Sequence, residues 1–226
     1  MNLSKRLQKV LDFVEVTDNV ADIGADHGYL TIAMREKGVK YLQVVENKKG
    51  PLNRAKQNLV DYDNIIFSLS DGISDIDLSI DTVTICGMGG LNIVEILSDH
   101  LDTAKKLKKI IMQANSKTYE LREFLVNNSF SIIDEEMVKD GDKYYEIIVA
   151  SYDGVQKNFS YHELFFGPIL LQKMSLEFVE YYQTLKQNFK NILADNQNRE
   201  MTDLKNKIQN ITFDNLDFRY GAWYEP

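Results

Sequence analysis

The segment Val20-Ala21-Asp22-Ile23-Gly24-Ala25-Asp26-His27-Gly28 limits what this chain can fold into more than any other. A short apolar run breaks at two glycines and passes into the apolar stretch Tyr29–Lys37, the pattern of a strand, a tight turn and a helix start. Glycine takes positive φ without steric cost and lets a ligand approach the backbone, while the following helix offers unpaired N–H groups. Folds of the α/β class hold nucleotide-like cofactors at such a turn.

Asp26 narrows the choice of cofactor. In the dinucleotide fingerprint Gly-x-Gly-x-x-Gly the middle glycine faces a pyrophosphate, which a carboxylate in that place would repel. Gly24 and Gly28 are also spaced differently from that fingerprint. S-adenosylmethionine, which has no phosphate and a positive end, tolerates an acidic turn. Capping of the next helix is a second role open to Asp26, and the two are compatible.

A chain of 226 residues, 44% of them hydrophobic, suffices for one α/β domain with a smaller appendage. Its one cysteine, Cys86, has no partner, and the opening Met1-Asn2-Leu3-Ser4-Lys5-Arg6 leads into no apolar block, so a cytoplasmic location is expected. No run approaches the roughly 18 apolar residues of a membrane span, and three scattered histidines with one cysteine predict no metal site. The formal charge of -8 confines any nucleic-acid surface to a local patch. Candidate patches are Lys5-Arg6-Lys9, then Lys48-Lys49 with Arg54 and Lys56, and Lys105-Lys106-Lys108-Lys109; the last also reads as a solvated approach to a strand.

Strand-like runs at Asn19–Ile23, Tyr41–Glu46, Ile65–Leu69, Thr82–Cys86 and Ile110–Gln113 alternate with helical stretches at Leu3–Val14, Tyr29–Lys37, Pro51–Val60, Asn92–Leu101 and Tyr119–Asn127. Alternation of this kind predicts parallel strands with crossover helices. Phe130–Lys139 and Lys143–Ser151 then flank Asp140-Gly141-Asp142, a hairpin signal, so the sheet should end in an antiparallel pair. That ending suits a methyltransferase sheet better than a dinucleotide-binding one. Leu171, Met174, Phe178, Tyr181, Leu185 and Ile192 next fall mostly at helical spacing, and Met201, Leu204, Ile208 and Ile211 repeat it after a polar break. These predict a coiled-coil-like helical hairpin beginning near Gly167-Pro168, followed by an aromatic tail with Phe218, Tyr220, Trp223 and Tyr224. The expected domains are 1–156 and 157–226.

Glu46 closes the second strand, where an acid can accept from both ribose hydroxyls, and its alternative is an ordinary solvated carboxylate. Asp71-Gly72 follows the third strand, where a carboxylate can take a hydrogen bond from an adenine amino group. After the fourth comes Ile85-Cys86-Gly87-Met88-Gly89-Gly90, a glycine loop that exposes backbone to a flat acceptor but offers no side-chain acceptor. Its lack argues against methylation of an exocyclic amine, with backbone carbonyls as the alternative acceptor; a ring nitrogen needs only positioning and a surrounding that accepts positive charge. Asp26 is placed to supply that charge. His27 is open to orienting the substrate, acting as a base or serving the helix start, and Cys86 reads as a small buried strand residue.

Taken together, Leu3-Ser4-Lys5-Arg6-Leu7, Ala21 to Leu30, Gly50-Pro51, Asp71-Gly72, Gly87-Met88-Gly89-Gly90, Arg122-Glu123, Asp140 to Glu146 and Gly167-Pro168 resemble the bacterial tRNA (adenine(22)-N1)-methyltransferases of the TrmK type. The resemblance implies a class I methyltransferase fold, Rossmann-like with a seven-stranded sheet ending in an antiparallel hairpin, and a C-terminal helical hairpin that helps hold tRNA. It further implies S-adenosyl-L-methionine as donor, held by Asp22, Gly24, Ala25, Asp26, Gly28, Glu46, Asn47, Asp71, Gly72 and Gly87. The acceptor pocket would comprise Asp26, His27, Tyr29, Gly87, Met88, Gly89 and Asn115, with Tyr29 stacking on the base. Gln113-Ala114-Asn115 stands where the family commonly has Gln-Pro-Asn, and Asn47-Lys48-Lys49 departs from its usual turn. A monomer acting on tRNA is expected, the alternatives being a small-molecule methyltransferase with a helical lid and a non-catalytic RNA-binding protein.

Overall fold

Strands β1 (Asn19–Ile23), β2 (Tyr41–Glu46), β3 (Ile65–Leu69), β4 (Thr82–Met88) and β5 (Lys109–Ala114) run parallel in the computed structural model, which describes residues 3–194. Strands β6 (Phe130–Asp140) and β7 (Lys143–Tyr152) form the expected hairpin, and β7 lies antiparallel to β5. The sheet order is β3-β2-β1-β4-β5-β7-β6. Because β2 and β4 flank β1 on opposite sides, the chain reverses direction across the sheet there, and a crevice opens beyond the carboxyl ends of β1 and β4. β1, β2 and β5 are buried along nearly their whole length, which is why they read as mainly apolar runs without an exposed polar face; β3, at the edge, leaves Ile66 and Leu69 exposed.

The crossovers are α2 (Tyr29–Lys37), α3 (Lys49–Asn58), α4 (Gly90–Asp99) with the short α5 (Leu101–Ala104), and α6 (Thr118–Asn127), preceded by α1 (Lys5–Asp12). Val10, Leu11 and Val14 from the α1 region pack with Leu30 and Met34 of α2 on β1, β2, β5 and β7, while Leu52, Ala55 and Leu59 pack with Ile32 of α2 and Val44 of β2. Asn92 and Pro51 do not start their helices: α4 begins at Gly90, and Pro51 sits in the first turn of α3, where its missing N–H costs nothing.

A buried ion cluster ties the sheet's end to its crossover. Arg122 of α6 donates from Nε to Glu135 of β6 at 2.6 Å and from Nη2 to Glu146 of β7, and Thr118 donates to the same Glu146 at 3.0 Å. Burial opposes the charge on Arg122, but the two carboxylates raise its pKa above the usual value. Glu146 lies opposite Ala114, so this cluster braces the carboxyl end of β5.

The chain divides into two compact units between Asn158 and Phe159. In the second, α7 (Tyr161–Phe166) starts in a capping box made by Ser160 and Glu163, Pro168 opens α8 (Pro168–Lys173), and α9 spans Leu176–Ala194. The expected continuous helix through Leu171 and Met174 is therefore interrupted: Met174 takes φ of 50° and ends α8. Phe166 packs against Phe178 and Tyr182, with centroids 6.3 and 5.3 Å away, and this aromatic packing rather than an a/d seam joins the helices. The expected second arm at 201–211 and the aromatic tail lie outside the described residues.

Candidate active site

Gly24 ends β1 with φ of 69°, and Asp26 and Gly28 also take positive φ, so the chain coils through a compact turn before α2. A Cβ on Gly24 would come within 2.2 Å of the Met88 methyl, and one on Gly28 within 2.9 Å of Leu59. The expectation that Asp26 caps α2 is overturned: Gly28 is the N-cap and no side chain caps it. The left-handed conformation of Asp26 instead turns its N–H to Glu46 Oε1, 2.5 Å away, and its carboxylate outward to Arg54 Nη2 at 2.7 Å and His27 Nε2 at 3.3 Å.

Two clefts open here and share Gly24. The first, about 290 Å³, is lined by Ile23 and Gly24 at the end of β1, Glu46 and Asn47 at the end of β2, Asp71 and Gly72 after β3, and Met88, Asn92 and His100 from β4 and the α4 region. Glu46 is buried, and burial raises its pKa while the Asp26 N–H partly offsets the effect. Its Oε2 has no hydrogen-bond partner among the described residues. An acceptor at a strand end beside a tight glycine turn is the chemistry that a ribose diol requires.

The second cleft, about 330 Å³, is lined by Ala25, Asp26, His27 and Tyr29 from the turn, Cys86 and Gly87 from β4, Asn115 after β5, and Arg6 and Leu7 from α1. His27 and Tyr29 stack with centroids 5.3 Å apart and an interplanar angle of 13°, forming a flat aromatic wall. Burial, then Asp22, pushes the Cys86 thiol up, which leaves it protonated and inert at neutral pH.

Of the residues anticipated for the cofactor, Gly24, Glu46, Asn47, Asp71 and Gly72 line the first cleft; Asp22, Ala25, Asp26 and Gly87 line the second. Gly28 and Gly89 line neither, and Met88 faces the first cleft. Sequence reasoning missed Arg6 and Leu7 on the second cleft and Asn92 and His100 on the first, because helices distant in the chain carry them in. The Lys5-Arg6-Lys9 cluster marked the right helix but not that Arg6 turns inward. Among the other basic clusters, Lys108 and Lys109 pair with buried Asp18 at 2.7 and 2.8 Å, and Arg54 is engaged by Asp26.

Asp22 is buried and accepts from Thr31 at 2.7 Å and Thr84 at 2.8 Å. Burial, opposed by those hydroxyls, raises its pKa to about 6. Between these values the folded state holds a proton that the unfolded chain releases, so this contribution to stability is complete only below about pH 4 and is lost as pH rises through about 6. Asp22→Asn removes the ionisation; its stability relative to the parent should rise by about 2–3 kcal/mol from pH 4 to pH 7, read by urea unfolding at both. A difference that does not vary with pH would show that Asp22 keeps an ordinary pKa.

The sheet order, its antiparallel closing strand and the acid-lined crevice at the reversal point define a class I S-adenosylmethionine-dependent methyltransferase. Residues 20–213 match the family model for tRNA (adenine(22)-N(1))-methyltransferase, TrmK. The Bacillus subtilis tRNA (adenine(22)-N(1))-methyltransferase is 30% identical over 192 residues, covering 80% of this chain and 79% of that one. Among solved structures, a Streptococcus pneumoniae protein in complex with S-adenosyl-L-methionine superimposes with a TM-score of 0.82 at 30% identity, covering 92% of this chain and 97% of that one. TrmK from M. capricolum in complex with S-adenosyl-homocysteine gives 0.77 at 27% identity, covering 95% and 98%. The chain belongs to the TrmK family of tRNA (adenine(22)-N(1))-methyltransferases.

Proposed function

We propose that this protein transfers a methyl group from S-adenosyl-L-methionine to N1 of adenine 22 in tRNA, acting as a cytoplasmic monomer. The observation that carries the reading is the pair of clefts sharing Gly24, one lined by the carboxylates Glu46 and Asp71 and the other by stacked rings and an amide. The residues fit the cofactor: Glu46 would take the ribose hydroxyls, Asp71 the adenine amino group, and Gly24 gives the backbone approach that a side chain would block. When bound, the cofactor supplies an electrophilic methyl, so that the N1 lone pair forms the new C–N bond while the C–S pair leaves on sulfur.

N1 attacks with its own lone pair, and the chain therefore needs no base. Its residues must admit a base that has left its stack, align it and offset the positive charge it gains. Tyr29, exposed and stacked on His27, offers the surface for the extruded base. Asp26 offers the negative charge, attenuated by Arg54. Asp26→Ala should lower kcat about tenfold and change S-adenosylhomocysteine affinity less than about twofold; equal losses in both would remove Asp26 from the chemistry.

Labelled methyl transfer into unmodified tRNA transcripts, followed by mapping of the modified nucleotide, tests the function. Label at N1 of adenine 22 is expected. Binding of S-adenosylhomocysteine without transfer to any tRNA would point to a small-molecule acceptor, and absence of that binding to an RNA-binding role.

A further inference from the structure

Four groups at the back of the second cleft fix one another's orientation. Gln113 Oε1 faces Arg6 Nη1 at 2.7 Å and the Gly87 N–H at 3.2 Å. Both of these can only donate, so the oxygen of the Gln113 amide must point at them and its nitrogen must point away. That nitrogen lies 3.1 Å from Asn115, which must therefore present Oδ1 to it. Asn115 Nδ2 then faces the Gly87 carbonyl at 2.7 Å, an atom that can only accept, and the chain of assignments closes without conflict.

Gln113 is fully buried, whereas Asn115 is exposed and lines the cleft. Once these bonds are made, Asn115 keeps one lone pair on Oδ1 and one hydrogen on Nδ2, in a fixed order. An asparagine amide that keeps an acceptor and a donor has the groups that pair with the 6-amino group and N7 of adenine in a bidentate contact. Guanine offers two acceptors, O6 and N7, along that edge, which sets its O6 against the amide oxygen. N1 lies on the opposite side of the amino group and stays clear of the pair.

We propose that Asn115 reads the target adenine along its N6/N7 edge and leaves N1 free, with Gln113 as the positioning residue that sets the direction of the Asn115 amide. The proposal rests on the reading of the second cleft as the pocket for a tRNA adenine. It explains how a glycine loop without a side-chain acceptor selects adenine: the acceptor comes from the residue that follows the next strand, oriented by a relay that begins at a charged arginine.

The test compares native tRNA with tRNA carrying 7-deazaadenosine at the target position, which keeps N1 and the amino group and lacks only the N7 acceptor. The parent enzyme should lose about tenfold in kcat/KM on the deaza substrate, because a donor is left unmatched. Asn115→Ala should be slow on native tRNA and no longer distinguish the two. Gln113→Glu, which still accepts from Arg6 and Gly87 but cannot donate to Asn115, should also lose the distinction while binding S-adenosylhomocysteine as the parent does. Equal rates of the parent enzyme on both substrates would overturn the proposal whatever the variants do, as would discrimination retained by Asn115→Ala. Failure of the parent on native tRNA would instead overturn the functional reading beneath it.

Discussion

Replacing Glu46 with Ala is expected to weaken S-adenosylhomocysteine binding at least about 100-fold, because a hydrogen bond to a charged group contributes roughly 1.5–3 kcal/mol and the ribose offers two. Titration calorimetry measures it directly. The fold should tolerate the change: the carboxylate is buried against its own preference, and only the Asp26 N–H loses a partner, at a cost of about 1 kcal/mol. Glu46→Gln should lie between, since the amide oxygen still accepts while the charge is gone. Affinity within a few-fold of the parent for Glu46→Ala would remove this residue from the cofactor site. Loss of affinity together with unfolding would show that the carboxylate serves the turn instead of the ligand.

The second large effect concerns stability. Arg122→Leu should destabilise the protein by about 3–5 kcal/mol, because it leaves buried Glu135 and largely buried Glu146 without the cation they share. Removing Arg122, Glu135 and Glu146 together, with apolar residues in their places, should cost less than the single change, since no charge is then stranded. Equilibrium denaturation separates the two outcomes, and a single variant as stable as the parent would show that the carboxylates reach water when the arginine is gone. A partial loss of methyl transfer should accompany Arg122→Leu, since Glu146 pairs with Ala114, next in sequence to Asn115.

Much of the fold was legible because each element repeats its own period. The central strands are mainly apolar on both faces, as strands buried on both sides require, and the Asp-Gly turn announced the hairpin that distinguishes this sheet. Where local signals misled, a tertiary contact had overridden them. Asn92 read as a helix start and Asp26 as a cap, yet α4 begins at Gly90, where only glycine clears the Lys117 carbonyl, which an added Cβ would meet at 2.3 Å, and the Asp26 carboxylate turns to Arg54. The helical spacing through Met174 likewise gave way to a left-handed break, beyond which Phe178 and Tyr182 close on Phe166.

The sequence by itself determined the strand-turn-helix at Gly24, the acids that close β2 and follow β3, and the family, because these depend on neighbours a few residues apart and on motif order along the chain. Only the tertiary structure decided which cleft each residue faces. Arg6 and Gln113 lie 107 positions apart, and their 2.7 Å contact exists only after α1 packs over the end of β5. Asn115 alone is an amide that can face either way; two obligate donors at one end of the relay and one obligate acceptor at the other give it a single direction. Such a direction follows from hydrogen-bond matching in space, which has no counterpart in the spacing of residues along the chain.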